Sequence, residues 1–474
     1  MKTLPNVFLL LLLMFCCLGE GQQLMAQNSP LPTSYKAGII SRVAKELEDR
    51  YVFPAVATKA ADHLRQQQEA GYFEQFSELE AFAAAVTESI FSVAKDKHLS
   101  VSLREQSAVA QEREEDPLSS WIKERMEERT FYRRYNANFK GVTKMDGNIG
   151  YLELRGFYGL AFGKEHADRA MAALATSDAI IIDLRNNSGG RGDMVEYLLS
   201  YFFDQPIIAS KSRKRNGDQF SESINMTPRR LTGKNLPEVP VYILTSDITF
   251  SAAEGFTYPM QAYKRATVIG DTTKGGANPG DLIPLDDSLQ VFISDVSVTH
   301  PLTGGSWEGV GIIPDVKTSK EEALEVALQH AREAAKKYQA RQAKKAHNLL
   351  IALNETVENF DGSCNQKIID AYLACKEADL IFEEWELNNL GYHLLGQEAT
   401  KATAEAVLEA NTVLYPHSAN VFDSLGDALV ENGKLEKALA SYQKAVQLGE
   451  SLKLDDLELF QQNLERVKQR LSEE

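Results

Sequence analysis

The segment Ala179-Ile-Ile-Ile-Asp-Leu184 constrains this chain more than any other. It is an apolar run of strand length, without the polar alternation of a strand that faces water on one side. Such a strand is buried on both faces, so helices must cover both faces of its sheet. The neighbouring pattern agrees. Residues 149–154, 239–245 and 266–269 read as strands, and 162–174, 193–203 and 252–263 as helices. Alternating strands and helices imply βαβ units with right-handed crossovers. Further strand-like stretches at 282–285, 290–298 and 311–316 complete a mixed α/β core over residues 148–318.

The flanks differ from this core. Residues 35–103 read as an N-terminal helical subdomain, with Ile39, Ile40, Val43, Ala44 and Leu47 at helical spacing. A polar linker follows at 104–147, with little strand pattern and a weak helical stretch around 121–128. The basic run Lys211-Ser-Arg-Lys-Arg215 is expected in a solvated loop. A connecting helix is expected at 320–350. In 380–474, Leu390-Gly391-Tyr392 recurs as Leu425-Gly426-Asp427, each followed by an Ala-rich helix. This repeat resembles the tetratricopeptide helix-turn-helix unit, with Gly433 in the second turn; an ordinary helical bundle is the alternative.

Three global features bound the function. The formal net charge of −16 gives no electrostatic reason to bind nucleic acid or anionic lipid. Residues 1–26 read as a secretion signal, with Lys2, an apolar run at 7–13 too short to span a bilayer, and two exits. Cleavage after Ala26 leaves a soluble periplasmic or extracellular protein, and lipidation at Cys16 or Cys17 is the less favoured route. Of the four cysteines, only Cys364 and Cys375 remain beyond that signal, either paired or as free thiols. No cysteine has metal-ligand spacing, and no cofactor is expected.

Three segments of the core carry residue types suited to chemistry. Asp183-Leu-Arg-Asn-Asn-Ser-Gly-Gly190 is a buried strand that breaks into two glycines. Ligands of open α/β sheets sit at the carboxyl ends of strands, and glycines there let backbone N–H groups approach them. Gly189 and Gly190 are thus candidate oxyanion donors; a plain turn or a phosphate cradle are the alternatives. In Thr245-Ser-Asp-Ile-Thr-Phe-Ser-Ala-Ala-Glu254, Ser251 stands at a helix start. There the macrodipole favours negative charge, and the amide of Ala252 is available to an oxyanion. Serine is also a preferred N-cap, and on pattern alone that plainer explanation wins. Gly304-Gly-Ser-Trp-Glu-Gly-Val-Gly-Ile-Ile-Pro-Asp315 carries Glu308 in a loop, ordinarily a solvated position. A serine nucleophile needs a base. Most histidines fall in expected helices or repeats, which leaves His98 and His300, and spacing does not choose between them.

The segments at 183–190, 249–254, 264–280 and 304–315, in that order, resemble the tail-specific (C-terminal processing) peptidase family. The branch is the one similar to interphotoreceptor retinoid-binding protein and the core of tricorn protease. Tyr51-Val-Phe-Pro and Asp96-Lys-His-Leu extend the resemblance to about 35–330. It implies a mixed-sheet ClpP/crotonase-like core and a serine endopeptidase acting through an acyl-enzyme on peptide or protein substrates. The family's nucleophile matches Ser251. In the lysine-using branch the base lies in the following Gly-rich turn, where this chain has Gly276, with Lys274 two residues out of register. The tricorn-like branch uses the histidine of Asp-x-His and the glutamate of Glu-Gly-Val-Gly, matching His98 and Glu308. The resemblance further implies an oxyanion hole from Gly189 or Gly190 with Ala252. The stretch between Val101 and Asn148 is too short for the PDZ domain many relatives insert there. The retinoid-binding relatives leave a non-catalytic apolar-ligand or peptide binder on the same fold as the alternative, with the repeats as an interaction module for a protein partner.

Overall fold

The structure is a computed structural model that describes residues 30–104, 117–229, 233 and 235–473; the expected signal at 1–26 lies outside them. The chain forms two compact units, Met1–Ala331 and Arg332–Glu474. No described helix is long and apolar enough to cross a membrane.

The first unit begins with helices α1 (Thr33–Arg50), α2 (Pro54–Glu69) and α3 (Leu79–Ala94). The apolar stripe Ile39, Ile40, Val43, Ala44 and Leu47 is buried along α1. Pro54 starts α2, where a missing amide costs nothing. Helix α3 stops at Lys95, whose left-handed backbone (φ 56°) turns the chain toward Asp96 and strand β1 (Ser100–Leu103). Helix α4 (Pro117–Tyr135) is longer than its weak sequence signal. The expected linker then contains a strand after all. Strand β2 (Phe139–Met145) pairs antiparallel with β3 (Ile149–Leu154) and forms an edge of the main sheet. Its polar composition reflects that edge position, which a hydropathy pattern does not separate from a loop.

The core continues through α5 (Leu160–Leu174), β4 (Ala179–Asp183), α6 (Gly192–Leu199), β5 (Ile208–Asn216) and β6 (Gln219–Met226). It ends with β7 (Val241–Thr245), α7 (Ala252–Ala262), β8 (Ala266–Gly270), β9 (Asp281–Pro284), β10 (Leu289–Ile293), β11 (Val296–Thr299) and β12 (Val316–Lys317). The six-stranded sheet has the order β12-β8-β7-β4-β3-β2 and is parallel except at β2–β3. Every residue of β4 and β7 is buried, as a doubly covered strand requires. Because β4, β7 and β8 are parallel neighbours, their carboxyl ends share one edge of the sheet. The three loops that follow them converge there.

Two antiparallel sheets, β1-β10-β9 and β11-β5-β6, complete this unit. The basic run at 211–215 is not a solvated loop but part of β5. Arg215 is buried, and its guanidinium donates to the carbonyls of Glu48 (2.7 Å), Tyr51 (2.8 Å) and Gly217 (2.7 Å). Charge counting misplaced it, because a guanidinium can be buried when backbone carbonyls accept all round it.

The second unit is helical: the remainder of α8 (Ala323–Glu358), then α9 (Asn365–Glu377), α10 (Glu384–Leu395), α11 (Lys401–Leu414), α12 (Ala419–Glu431), α13 (Leu435–Leu452) and α14 (Leu457–Glu473). The two repeated glycines have one physical role. A β-carbon on Gly391 would lie 2.5 Å from Leu408, and one on Gly426 would lie 2.4 Å from Tyr442. Each lets the two helices of its pair approach closely. The Tyr392 hydroxyl donates to Asp427 (2.8 Å), its counterpart in the next unit. Cys364 and Cys375 are free thiols, which removes the disulfide alternative.

Candidate active site

Ser251 stands between β7 and α7 with φ 54° and ψ −118°. Those angles belong at the second position of a type II′ turn, where glycine is the usual residue. The Ala253 N–H closes the turn onto the Phe250 carbonyl (3.1 Å). A residue with a β-carbon held in such a region carries about 1–3 kcal/mol of strain. An ordinary N-cap has extended backbone, so capping alone does not account for this geometry.

The strain is held by Glu254, whose side chain is fully buried. One carboxylate oxygen accepts the amides of Ser251 (2.8 Å) and Gly276 (2.9 Å). The other accepts the Thr273 hydroxyl (2.5 Å) and the Gly275 amide (2.7 Å). Burial raises this carboxyl above its ordinary range, and the four donors oppose that shift. Glu254 therefore ties the serine turn to the loop after β8. Sequence reasoning gave it no role, although it closes the Ser-Ala-Ala-Glu spacing of a capping box.

The loop after β4 lies against the same turn. A β-carbon on Gly189 (φ 113°) would sit 2.8 Å from Ser251 Cβ and 3.1 Å from the Ala252 nitrogen. Only glycine permits this approach. The Gly189 amide, however, already donates to Asn187 Oδ1 (2.9 Å). Gly189 thus makes room for the site and is not a free oxyanion donor. Gly190 pairs with Phe157: the Phe157 amide donates to Gly189 (2.9 Å) and the Arg191 amide to Phe157 (2.7 Å). Among the described residues, the amides of Gly190 and Ala252 donate to no protein acceptor.

His98 follows the turn that ends α3. Its ring lies 4.5 Å from that of Phe250, the chain neighbour of Ser251, and stacks on Phe292 at 5.7 Å. Asp96 and Glu308 flank it. Asp96 Oδ1 is 4.0 Å from His98 Nδ1 and accepts the His98 amide (2.9 Å). The other Asp96 oxygen accepts from Asn278 (3.1 Å) and Tyr51 (3.4 Å). Glu308 accepts the amides of Ala277 (2.5 Å) and Asn278 (3.0 Å) on one oxygen. Among the described residues, its other oxygen and His98 Nδ1 are both buried without a hydrogen-bond partner. Asp96, His98 and Glu308 each present a ligand-capable atom, all within 4.8 Å of one another.

Burial pushes His98 below its ordinary value; the Asp96 charge opposes this and Lys274 adds to it. Burial first, and then Asp96, push the Glu308 carboxyl up to about 7, against the pull of nearby amides. Among the described residues no hydrogen bond joins Ser251 to His98. His300 is not part of this cluster. Its buried ring packs on Tyr258 and Tyr263, each 5.4 Å away. Gly276 fills the remaining side: a β-carbon there would lie 2.7 Å from His98 Cε1. The Phe250 ring is nearer still, at 2.1 Å, so a side chain at position 276 would meet that ring first and then the imidazole.

Residues 148–318 match the profile of peptidase family S41. They are a peptidase family S41 domain. Residues 33–140 match the N-terminal domain of peptidase S41 in eukaryotic IRBP. The chain is 27% identical to a carboxy-terminal-processing protease of Bartonella bacilliformis over 36% of this chain and 39% of that one. It is 22% identical to the carboxy-terminal processing protease CtpB of Bacillus subtilis over 56% of this chain and 54% of that one. The chain therefore spans about two fifths to half the length of these relatives. Among solved structures, the photosystem II D1 C-terminal processing protease aligns with a TM-score of 0.38 and 14% identity, covering 60% of this chain and 94% of that one.

Proposed function

We propose that the chain is an exported serine endopeptidase that cleaves peptide bonds through an acyl-enzyme at Ser251. The observation that carries this reading is the strained Ser251 turn, clamped by Glu254 beside a histidine backed by two carboxylates. His98 takes the hydroxyl proton on Nε2 as Ser251 attacks the carbonyl. Glu308, through its free oxygen, holds the Nδ1 proton and steadies the imidazolium. The amides of Gly190 and Ala252 stabilise the tetrahedral oxyanion, with α7's N-terminal dipole behind Ala252. His98 then returns the proton to the leaving amine, and water releases the acyl group. The ClpP/crotonase-like architecture of the core and the tetratricopeptide-like nature of the repeats belong to the same reading, with the repeats as a protein-interaction module.

Labelling with a serine-directed fluorophosphonate tests it. Wild type is expected to label once per chain, and Ser251→Ala not at all. A folded wild type that stays unlabelled supports the non-catalytic binder instead, and label surviving in Ser251→Ala moves the nucleophile elsewhere.

A further inference from the structure

The Nδ1 side of His98 has its own chemistry. Among the described residues, His98 Nδ1 and Glu308 Oε1 are buried without partners and share one small space with Asp96. The His98 side chain is only 10% exposed and that of Asp96 1%. Acceptor atoms gathered this closely repel unless a proton or a cation lies between them. One imidazole nitrogen with two carboxylate oxygens is a ligand set for zinc. Magnesium and calcium take oxygen-only shells and fit it poorly.

We propose that Asp96, His98 and Glu308 bind a zinc ion, and that the bound ion shuts off the peptidase. This rests on the roles given above to Ser251 and His98. The three donors stand within 4.8 Å, and Asp96 Oδ1 is 4.0 Å from Nδ1. Tetrahedral zinc at about 2.0–2.1 Å from each ligand needs donors about 3.4 Å apart, so the cluster contracts by roughly 1 Å. The outer shell is already built. Asn278 donates its side chain to Asp96 and its backbone amide to Glu308, and Tyr51 donates to Asp96. Such contacts aim ligand oxygens and raise metal affinity.

Inhibition follows from the tautomer. Zinc takes the lone pair of Nδ1, and the proton that neutral histidine keeps must then sit on Nε2. That nitrogen becomes a donor toward Ser251 and cannot accept the hydroxyl proton. The ion also removes Glu308 from the support of the imidazolium.

The test is calorimetric titration of zinc chloride into the full-length Ser251→Ala protein, which keeps all three ligands and lacks the nucleophile. One zinc per chain in the micromolar range is expected. His98→Gln and Glu308→Gln, each checked for folding by circular dichroism, should weaken binding by more than about tenfold. Magnesium should produce no comparable heat. In wild type, zinc should block fluorophosphonate labelling and a chelator should restore it. No zinc binding by the folded Ser251→Ala protein at about 100 μM overturns the proposal. So does binding that is unchanged in His98→Gln. Zinc binding to a wild type that never labels leaves the metal site standing and removes the peptidase reading.

Discussion

Adding one methyl group at Gly276 tests how tightly Ser251 and His98 are held. A β-carbon there would lie 2.1 Å from Phe250 Cε2, 2.4 Å from Cζ and 2.7 Å from His98 Cε1. Carbon atoms in favourable contact are about 3.5 Å apart, so the Phe250 ring must retreat by about 1 Å or more. The 273–276 loop cannot easily yield instead, because Glu254 binds the amides of Gly275 and Gly276. Phe250 precedes Ser251 in the chain and packs on His98, so its retreat displaces both of those side chains. Misplacement by 1 Å costs about 100-fold in rate, or about 2.7 kcal/mol of transition-state stabilisation. Gly276→Ala is therefore expected to slow fluorophosphonate acylation about 100-fold, with a stability loss of about 1–3 kcal/mol from overpacking. The assay is the acylation rate beside a denaturant titration of the same sample. Gly192→Ala is the control, since its methyl meets nothing within 4 Å. A folded Gly276→Ala that labels within about threefold of wild type refutes the claim that this contact sets the site.

Three other outcomes follow from the same geometry. Ser251→Gly relieves the positive-φ strain, so this variant should be more stable than wild type by about 1 kcal/mol in urea titration. Glu254→Gln turns an NH₂ group toward two of the four donors that the carboxylate accepts, so it should lose about 2–4 kcal/mol in the same titration and most of its labelling rate. In the second unit, burial first, with the charge of Asp427, raises the Asp423 carboxyl from 3.8 to about 6, against the Asn463 hydrogen bond. The folded state there keeps a proton that the unfolded chain has released. Stability of this unit should fall as pH rises from 3.8 to about 6 and level off above, and Asp423→Asn should abolish the slope in hydrogen exchange of α12 and α13.

Much of the scaffold could be read from residue order. The buried strands at β4 and β7, the α1 stripe and the repeated glycines each depend on contacts at short, regular spacing, which periodicity reports. The edge strand β2 escaped because Phe139 alone of its residues is buried, and Arg215 escaped because its partners lie 164 and 167 positions away.

The site divides the same way. The order of segments marked Ser251, His98 and Glu308 by resemblance, and the glycine pair at 189–190 by its own pattern. Tertiary structure alone separated Gly189, which makes room, from Gly190, whose amide meets no acceptor among the described residues. It also brought Asp96 beside Glu308 and made Glu254 the clamp of the serine turn. Residue identity and local spacing establish which chemistry is available to this chain. Donor direction, enclosure by neighbours and the distance between charges arise only when loops far apart in sequence meet at the carboxyl edge of one sheet.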